Sequence, residues 1–388
     1  MYLMLQSYEK KRKEERGKRK NFALFTFFSL RKQILHSSFF TLHFFSYLCN
    51  LMEKVKVLIV GAGPAGSTCG LLLKKRNIDC LLIDRAEFPR DKICGGGLTP
   101  RSYHLLNDLL PTFRYDYNSV NRLRLLIEGE PVFNLNMAEE LRIVKRREFD
   151  ARLLAEYKSC GGAFANEALD TIEENDGQIV VTMRSGRQVV CDYLVGADGS
   201  NSRVRKYLKP KTDHKILCLE QYATKTPDNT IVVNLSGQYL QGYYYVFPND
   251  SYDVQGFGDH RTTPQSFRDV LSDMNCPDLK AKGAYINLDT NYPLHNRIIL
   301  IGDAGGFANQ LTFEGIYYAF LTACNAAEAI SSGQPFAEVN RQVFKNKKKE
   351  KLEARLFYSH TGLWLLKLFC KRWPSLIKWC YDKSASKK

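Results

Sequence analysis

The chain has 388 residues, enough for two domains or one large one, and carries a net charge of +15. That charge sits at the ends: residues 1–51 hold 10 basic and 3 acidic side chains, residues 341–388 hold 14 and 3, and 52–340 is left at −3. A near-neutral body excludes a nucleic-acid-binding core and turns attention to a membrane surface as the partner of the basic ends. The 11 cysteines show no CxxC pair and no metal-like spacing, so free thiols in the cytoplasm and no metal site are expected.

Residues 1–51 join a charge cluster, KKRKEERGKRK (10–20), to two apolar patches, FALFTFF (22–28) and FFTLHFFSYLCNLM (39–52). No small-residue cleavage site follows them, and Arg31, Lys32, Gln33 and His36 break any run long enough to span a bilayer. Met52 stands directly before the first strand, so residues 1–51 read as an upstream extension, disordered or from a non-native start; a membrane-targeting segment is the alternative.

The stretch VKVLIVGAGPAG (55–66) reads as a buried parallel strand running into Gly61-x-Gly63-x-x-Gly66. AGSTCGLLLKKR (65–76) continues as helix, and CLLID (80–84) is a second strand ending in an acid. Gly61 permits the tight turn and Gly63 lets backbone N–H groups approach a pyrophosphate. Gly66 lets the helix pack on the strand, and the positive helix end faces the phosphates. Asp84, 23 residues after Gly61, is placed to accept hydrogen bonds from an adenosine ribose. A dinucleotide site is therefore expected here.

FPRDKICGGGLTPRS (88–102) follows, with Cys94 ahead of Gly95, Gly96 and Gly97. Three glycines suggest a backbone that passes against a flat ligand. RLRLLIEGEPVFNL (122–135) reads as two strands turning near Glu128–Pro131. LRIVKRREFDARLLAEYKSCGG (141–162) reads as helix, with Phe149, Leu153, Leu154 and Tyr157 on its apolar stripe and Arg147 before it, placed either to reach a ribose or phosphate or to stand in solvent. QIVVTMRSGRQVV (178–190) is a hairpin turning at Ser185-Gly186, and CDYLVGADGSNSRVRKYL (191–208) a strand leading to Gly196, Asp198 and Gly199.

Residues 216–258 alternate through several strands of a second, antiparallel sheet, with Tyr239, Tyr243, Tyr244, Tyr245, Phe247 and Phe257 as its aromatic face. That face suits either a sheet core or a cavity for a long apolar substrate. RIILIGDAGGFANQLTFEGIYYAFLTACNAAEAISSG (297–333) is a strand, a turn over Gly302–Gly306 and a helix from Gly315, with Asp303 placed for a ribityl hydroxyl. The C-terminal KNKKKEKLEARLFYSHTGLWLLKLFCKRWPSLIKWCYDK (345–383) gathers all three tryptophans among lysines and arginines. That pattern fits a helix among lipid head groups or one closing an apolar pocket.

The order GxGxxG with Asp84, then GADGSNSRVR, then IGDAGGF with EGI, resembles the FAD-dependent oxidoreductases of the aromatic-hydroxylase type. Within them, KICGGGL, GYYYVFP and GDAGG…FEGIYYA are similar to the geranylgeranyl reductase family, over about residues 53–335. The resemblance implies an α/β fold: a discontinuous Rossmann-like FAD-binding domain (52–120, 141–215 and 290–335) with an inserted antiparallel substrate sheet (121–140 and 216–289). Basic amphipathic helices (336–388) close the chain.

It also implies that Gly61, Gly63, Ala65 and Gly66 cradle the FAD pyrophosphate, with Asp84 on the adenosine ribose. Cys94, Gly95 and Gly97 lie along the flavin, Arg147 touches the cofactor, Asp303 holds the ribityl or pyrophosphate region, and Gly315 and Ile316 approach the isoalloxazine. Tyr243, Phe247 and Pro248 match the family's aromatic-x-Trp-x-Phe-Pro pattern; Tyr245 stands where tryptophan is usual and Gln310 where proline is common.

The implied reaction saturates C=C bonds of a geranylgeranyl-type chain by hydride transfer from reduced flavin, with NADPH or a ferredoxin as electron donor. Cys94 is the catalytic candidate, shaping the proton-delivery side of the flavin, and Tyr243, Tyr245 and Phe247 line the substrate pocket. The expected setting is cytoplasmic, with a peripheral position on the inner membrane face through the C-terminal helix. The alternatives are a flavin-dependent monooxygenase on the same scaffold and a membrane-associated electron-transfer flavoprotein.

Overall fold

The first strand is β-branched and buried along most of its length, as a strand central to a parallel sheet must be. The computed structural model describes residues 53–175 and 177–385; the expectations for residues 1–51 fall outside this range. In chain order, β1 (Glu53–Val60), α1 (Pro64–Lys75) and β2 (Cys80–Asp84) form the expected strand, turn, helix and strand. Next come β3 (Gly97–Leu98), α2 (Pro100–Leu109), β4 (Asn118–Ile127), β5 (Glu130–Ile143) and α3 (Arg146–Ser159). β6 (Ala163–Asn166), β7 (Leu169–Asn175), β8 (Gln178–Met183), β9 (Gln188–Gly196) and α4 (Arg203–Leu208) follow. β10 (Lys215–Thr224), β11 (Ile231–Leu235), β12 (Tyr243–Pro248), β13 (Tyr252–Asp259), α5 (Pro264–Asp273), β14 (Lys282–Asn287) and β15 (Ile298–Leu300) complete the strands. The chain ends in α6 (Ile316–Ser332), α7 (Phe336–Val339), α8 (Arg341–Phe357), α9 (His360–Arg372) and α10 (Pro374–Ala385).

The strands form two sheets. The first runs β6-β2-β1-β9-β8-β7, with β15 also parallel on β9. Val57 and Ile59 of β1 join a core with α1, α3 and α6, while Leu58 and Val60 join a second core with the β7–β9 strands. The second sheet runs β14-β10-β13-β12-β11-β4-β5-β3 and is antiparallel except where β11 meets β4. The chain crosses between the sheets just after Asp84: β3 pairs with β5 at the far edge of the second sheet. The loop carrying Cys94 therefore lies where one sheet hands over to the other.

Two expectations change. The helix expected from 141 starts at Arg146, because residues 141–143 still pair with β3 and β4. The aromatic face of the second sheet is two faces, since neighbouring side chains on a strand point in opposite directions. Tyr244 and Phe257 pack with Phe267, Val270 and Leu271 of α5, and Tyr239 lies on that side too. Tyr243, Tyr245 and Phe247 form a row of tilted rings on the opposite face, Tyr245 touching both of the others.

Candidate functional site

The turn after β1 depends on two missing side chains. Gly61 has φ +105°, and a Cβ there would lie 2.4 Å from the Ala197 carbonyl oxygen. A Cβ on Gly66 would lie 1.8 Å from the Gly61 carbonyl oxygen, so helix and strand touch only because neither residue has one. α1 starts with Pro64, carries no acid in its first turn and has no side-chain cap, leaving its positive end and first N–H groups available to an anion. Asp84 closes the turn: its Oδ2 accepts the Ala62 N–H at 2.7 Å and its Oδ1 accepts the Ala86 N–H at 2.9 Å. Each of these oxygens keeps acceptor capacity for a second donor.

The two later glycine–acid segments converge on this turn. Asp198 follows Ala197, and its Oδ2 accepts the Arg203 N–H at 2.6 Å. Its Oδ1 is buried without a partner, and burial pushes its carboxyl above the usual carboxylate range. Asp303 lies in the 3-10 turn Gly302–Gly305; a Cβ on Gly302 would lie 3.1 Å from that of Ala65 in α1. The Asp303 carboxylate accepts the Ser200 hydroxyl at 3.4 Å, and its Oδ1 would lie 3.0 Å from a Cβ on Gly315, just before α6. Asp198, Asp303, Ala65 and Gly315 thus surround the N-terminal ends of α1 and α6.

A buried ion cluster links this turn to Cys94. Asp150 of α3 takes two hydrogen bonds from Arg146, at 2.9 and 3.0 Å, and lies 3.3 Å from Arg90. The Arg90 guanidinium is the nearest group to Gly63, 3.5 Å from where its Cβ would be. Burial opposes the charge on Arg146, but Asp150 and Cys94 outweigh it and raise its pKa. Arg147, expected at the cofactor, instead points outward and pairs with Asp91 at 3.0 Å. The inward arginine is its neighbour, which an arginine pair at a helix start does not reveal without knowing which face packs. Cys94 is half-buried, and its Sγ accepts the Gly96 N–H at 3.4 Å.

The glycines after Cys94 are required by the protein itself. A Cβ on Gly95 would lie 2.3 Å from the Phe247 ring, and one on Gly96 would lie 2.2 Å from the Val144 carbonyl oxygen. Phe247 begins a ladder of rings, 5.1 Å to Tyr245 and 5.8 Å from Tyr245 to Tyr243. Tyr243 then stacks on Phe313 at 5.3 Å, and its hydroxyl donates to the Thr312 carbonyl. Phe313 has φ +57°, a left-handed conformation rare for an aromatic residue, and leads directly into Gly315 and Ile316. The ladder therefore runs from the Cys94–Gly97 loop to the start of α6, between the two segments expected at the flavin.

Two acids here were missed by sequence reasoning. Glu314 accepts from the Ser102 hydroxyl at 2.8 Å and from Arg101 Nε at 3.0 Å, bracing α2 against the start of α6. Glu220 of β10 is 2% exposed and accepts the Tyr245 hydroxyl on Oε1. Burial lifts its carboxyl to about 6, against smaller lowering effects of Tyr245 and Lys92. An acid inside the apolar run ILCLEQYA was the available signal. Gln310, where proline is common in the family resembled, turns inward and donates to the Leu288 carbonyl at 2.8 Å.

Residues 54–218 match the FAD binding domain family. This match, on the residues of the glycine turn and the α1 terminus, decides the cofactor. The chain carries an FAD-binding domain, and FAD is its cofactor. The flavoprotein is 28% identical to the menaquinone reductase of Mycolicibacterium smegmatis, over 72% of its own length and 77% of that protein's. It is 27% identical to the geranylgeranyl diphosphate reductase of Rhodobacter capsulatus, over 73% and 77% respectively. In structure it is similar to a geranylgeranyl bacteriochlorophyll reductase-like protein of Thermoplasma acidophilum, with a TM-score of 0.69 at 19% identity, covering 87% of this flavoprotein and 92% of that chain. The site fits FAD on its own geometry. The uncapped α1 terminus, the space at Gly63 beside Arg90 and the partnerless Asp198 Oδ1 form a cradle for a diphosphate and its sugars.

Proposed function

We propose that this flavoprotein reduces C=C bonds of an isoprenoid chain of geranylgeranyl type, drawing electrons from NADPH or a ferredoxin. The observation that carries this reading is the ring ladder Phe247–Tyr245–Tyr243–Phe313, held between the two segments expected at the flavin. Such a ladder offers an apolar rail for an extended chain, consistent with the substrates for which its relatives are named.

In this reading Gly61, Gly63, Ala65 and Gly66 hold the diphosphate at the α1 terminus, Asp84 the adenosine ribose and Asp303 the ribityl side. Cys94, Gly95, Gly97, Gly315 and Ile316 border the reactive end, with Arg146 behind Cys94 in place of Arg147. Bound and reduced, FAD supplies the hydride equivalent for the alkene. The protein's part is to align the chain along the rings and to keep water out, which burial of Tyr243 and Tyr245 supports; that burial pushes both phenols well above their usual range. Cys94 is the candidate that shapes the proton-delivery side, through the Arg146 guanidinium next to it.

The chain is proposed to reach its substrate from an anionic lipid surface, as a peripheral protein. Among the described residues no helix is long and apolar enough to cross a membrane. Trp364 on α9, Trp373 at the joint between α9 and α10, and Trp379 on α10 are 62%, 47% and 57% exposed, interleaved with Lys367, Lys371, Arg372 and Lys378. The reaction class is tested by supplying reductant and a geranylgeranyl substrate with and without oxygen. Turnover without oxygen is expected, whereas substrate-dependent oxygen consumption with a hydroxylated product would establish a monooxygenase instead.

A further inference from the structure

We propose that Tyr245 and Glu220 form the proton relay of this site, with Tyr245 facing the substrate and Glu220 acting through it; this rests on the C=C reduction proposed above. The geometry is cross-strand. Tyr245 of β12 is paired with Gly256 of β13, and Gly256 with Glu220 of β10, so the three residues form one row across the sheet. Nothing but a glycine lies between ring and carboxylate. A Cβ on Gly256 would lie 2.3 Å from the Tyr245 ring, so the phenol crosses the middle strand only because Gly256 leaves the space. The hydroxyl then meets Glu220 Oε1 at 2.5 Å.

The carboxyl is poised to exchange a proton. Its Oε2 is buried without a hydrogen-bond partner, a costly position for an ionised oxygen and an acceptable one for a protonated group. Burial disfavours the anion more than the Tyr245 hydroxyl, the Lys92 charge, the Cys94 backbone N–H and the Arg146 charge favour it. Arg146 is occupied by Asp150, and Lys92 acts from the Cys94 loop without an ion pair to Glu220 among the described contacts. Cys218 on its own strand, with Tyr222 and Tyr252, adds no cation. Protonation also reverses the short bond. While Glu220 is ionised, the phenol proton is tied to Oε1; once Glu220 is protonated, it donates to the phenol oxygen and frees the Tyr245 proton for the ladder side.

The relay balances the reduction. The π bond breaks and two C–H bonds form. One hydrogen arrives with the electron pair from the dihydroflavin, the two-electron reductant. The other is the Tyr245 proton. Glu220 returns a proton to the phenol oxygen and remains as a carboxylate until solvent reprotonates it.

The test uses full-length protein with FAD and the variants Glu220→Gln and Tyr245→Phe. The first readout is independent of activity: an infrared pH titration should show a protonated carboxyl band in the wild type that titrates near pH 6, well above an ordinary glutamate, and that Glu220→Gln removes. The second is anaerobic single turnover of a geranylgeranyl substrate by the pre-reduced protein. Each variant should bind FAD and accept electrons normally yet reduce the alkene about a hundredfold more slowly, and the double variant should be no slower than either. Should Glu220→Gln fail to fold, Tyr245→Phe carries the kinetic test and the titration is read on the wild type. Variants that keep the wild-type rate, or a wild type without the carboxyl band, overturn the relay while leaving the reduction intact. A wild type that binds FAD and leaves the isoprenoid unchanged overturns both.

Discussion

Arg146 and Arg147 are neighbours with opposite surroundings. Arg146 neutralises the fully buried Asp150 with two hydrogen bonds, whereas Arg147 pairs in solvent with Asp91. Removing Arg146 takes both hydrogen bonds from a buried carboxylate and leaves it Arg90 alone at 3.3 Å, so Arg146→Ala should destabilise the protein by about 3 kcal/mol and weaken FAD retention, measured by chemical denaturation and flavin release. Arg147→Ala should leave the unfolding midpoint and bound FAD unchanged; an equal effect of the two variants would contradict this assignment. At this scale the sequence was most legible where a residue acts through its own backbone. Gly61 and Gly66 could be placed because a tight turn and close packing need glycine whatever surrounds them. Arg146 and Glu220 could not, because their roles depend on Asp150's buried face and on Tyr245 two strands away.

The elements follow the same rule. β1, α1 and β2 were legible because strand, turn and helix are continuous in sequence and their burial follows from local pattern. The aromatic face of the second sheet was not, because alternation along a strand says which residues share a face but not which face meets α5. Tyr244 and Phe257 went to the α5 side, and only Tyr243, Tyr245 and Phe247 remained for the site. The tail was legible as basic and aromatic, and the structure sets it in α9 and α10 along β5: Lys378 donates to the Asn136 carbonyl, and the Ala138 N–H donates to Asp382 at 3.2 Å. Replacing Trp364, Trp373 and Trp379 by serine should cut sedimentation with anionic vesicles at least tenfold, with little change in unfolding midpoint. Wild-type binding that ignores both vesicle charge and salt would argue against a lipid surface.

For the whole molecule, buried ionisable groups set an acid-side and a neutral-side response. Glu220 has a folded-state pKa of about 6, above its ordinary 4.5. Its stabilising contribution is therefore present below 4.5 and is lost as pH rises through 6, a loss of about 2 kcal/mol. Glu220→Gln abolishes that loss, so the variant should gain stability relative to wild type between pH 4.5 and 7; a constant difference would contradict it. His214 behaves in the opposite sense. Burial and the stacked His260 ring lower it from 6.5 to about 4, so its contribution is present above 6.5 and lost as pH falls toward 4. His214→Gln should soften acid unfolding in that window, read by thermal melts at graded pH. At neutral pH both titrations lie below the working range, and the central claim is best tested there. That test is mass spectrometry of a geranylgeranyl substrate after anaerobic turnover in heavy water. Two hydrogens are expected to be added per saturated bond, at least one of them deuterium drawn from solvent. A product carrying oxygen, or a substrate recovered unchanged from FAD-loaded, reduced protein, would contradict it.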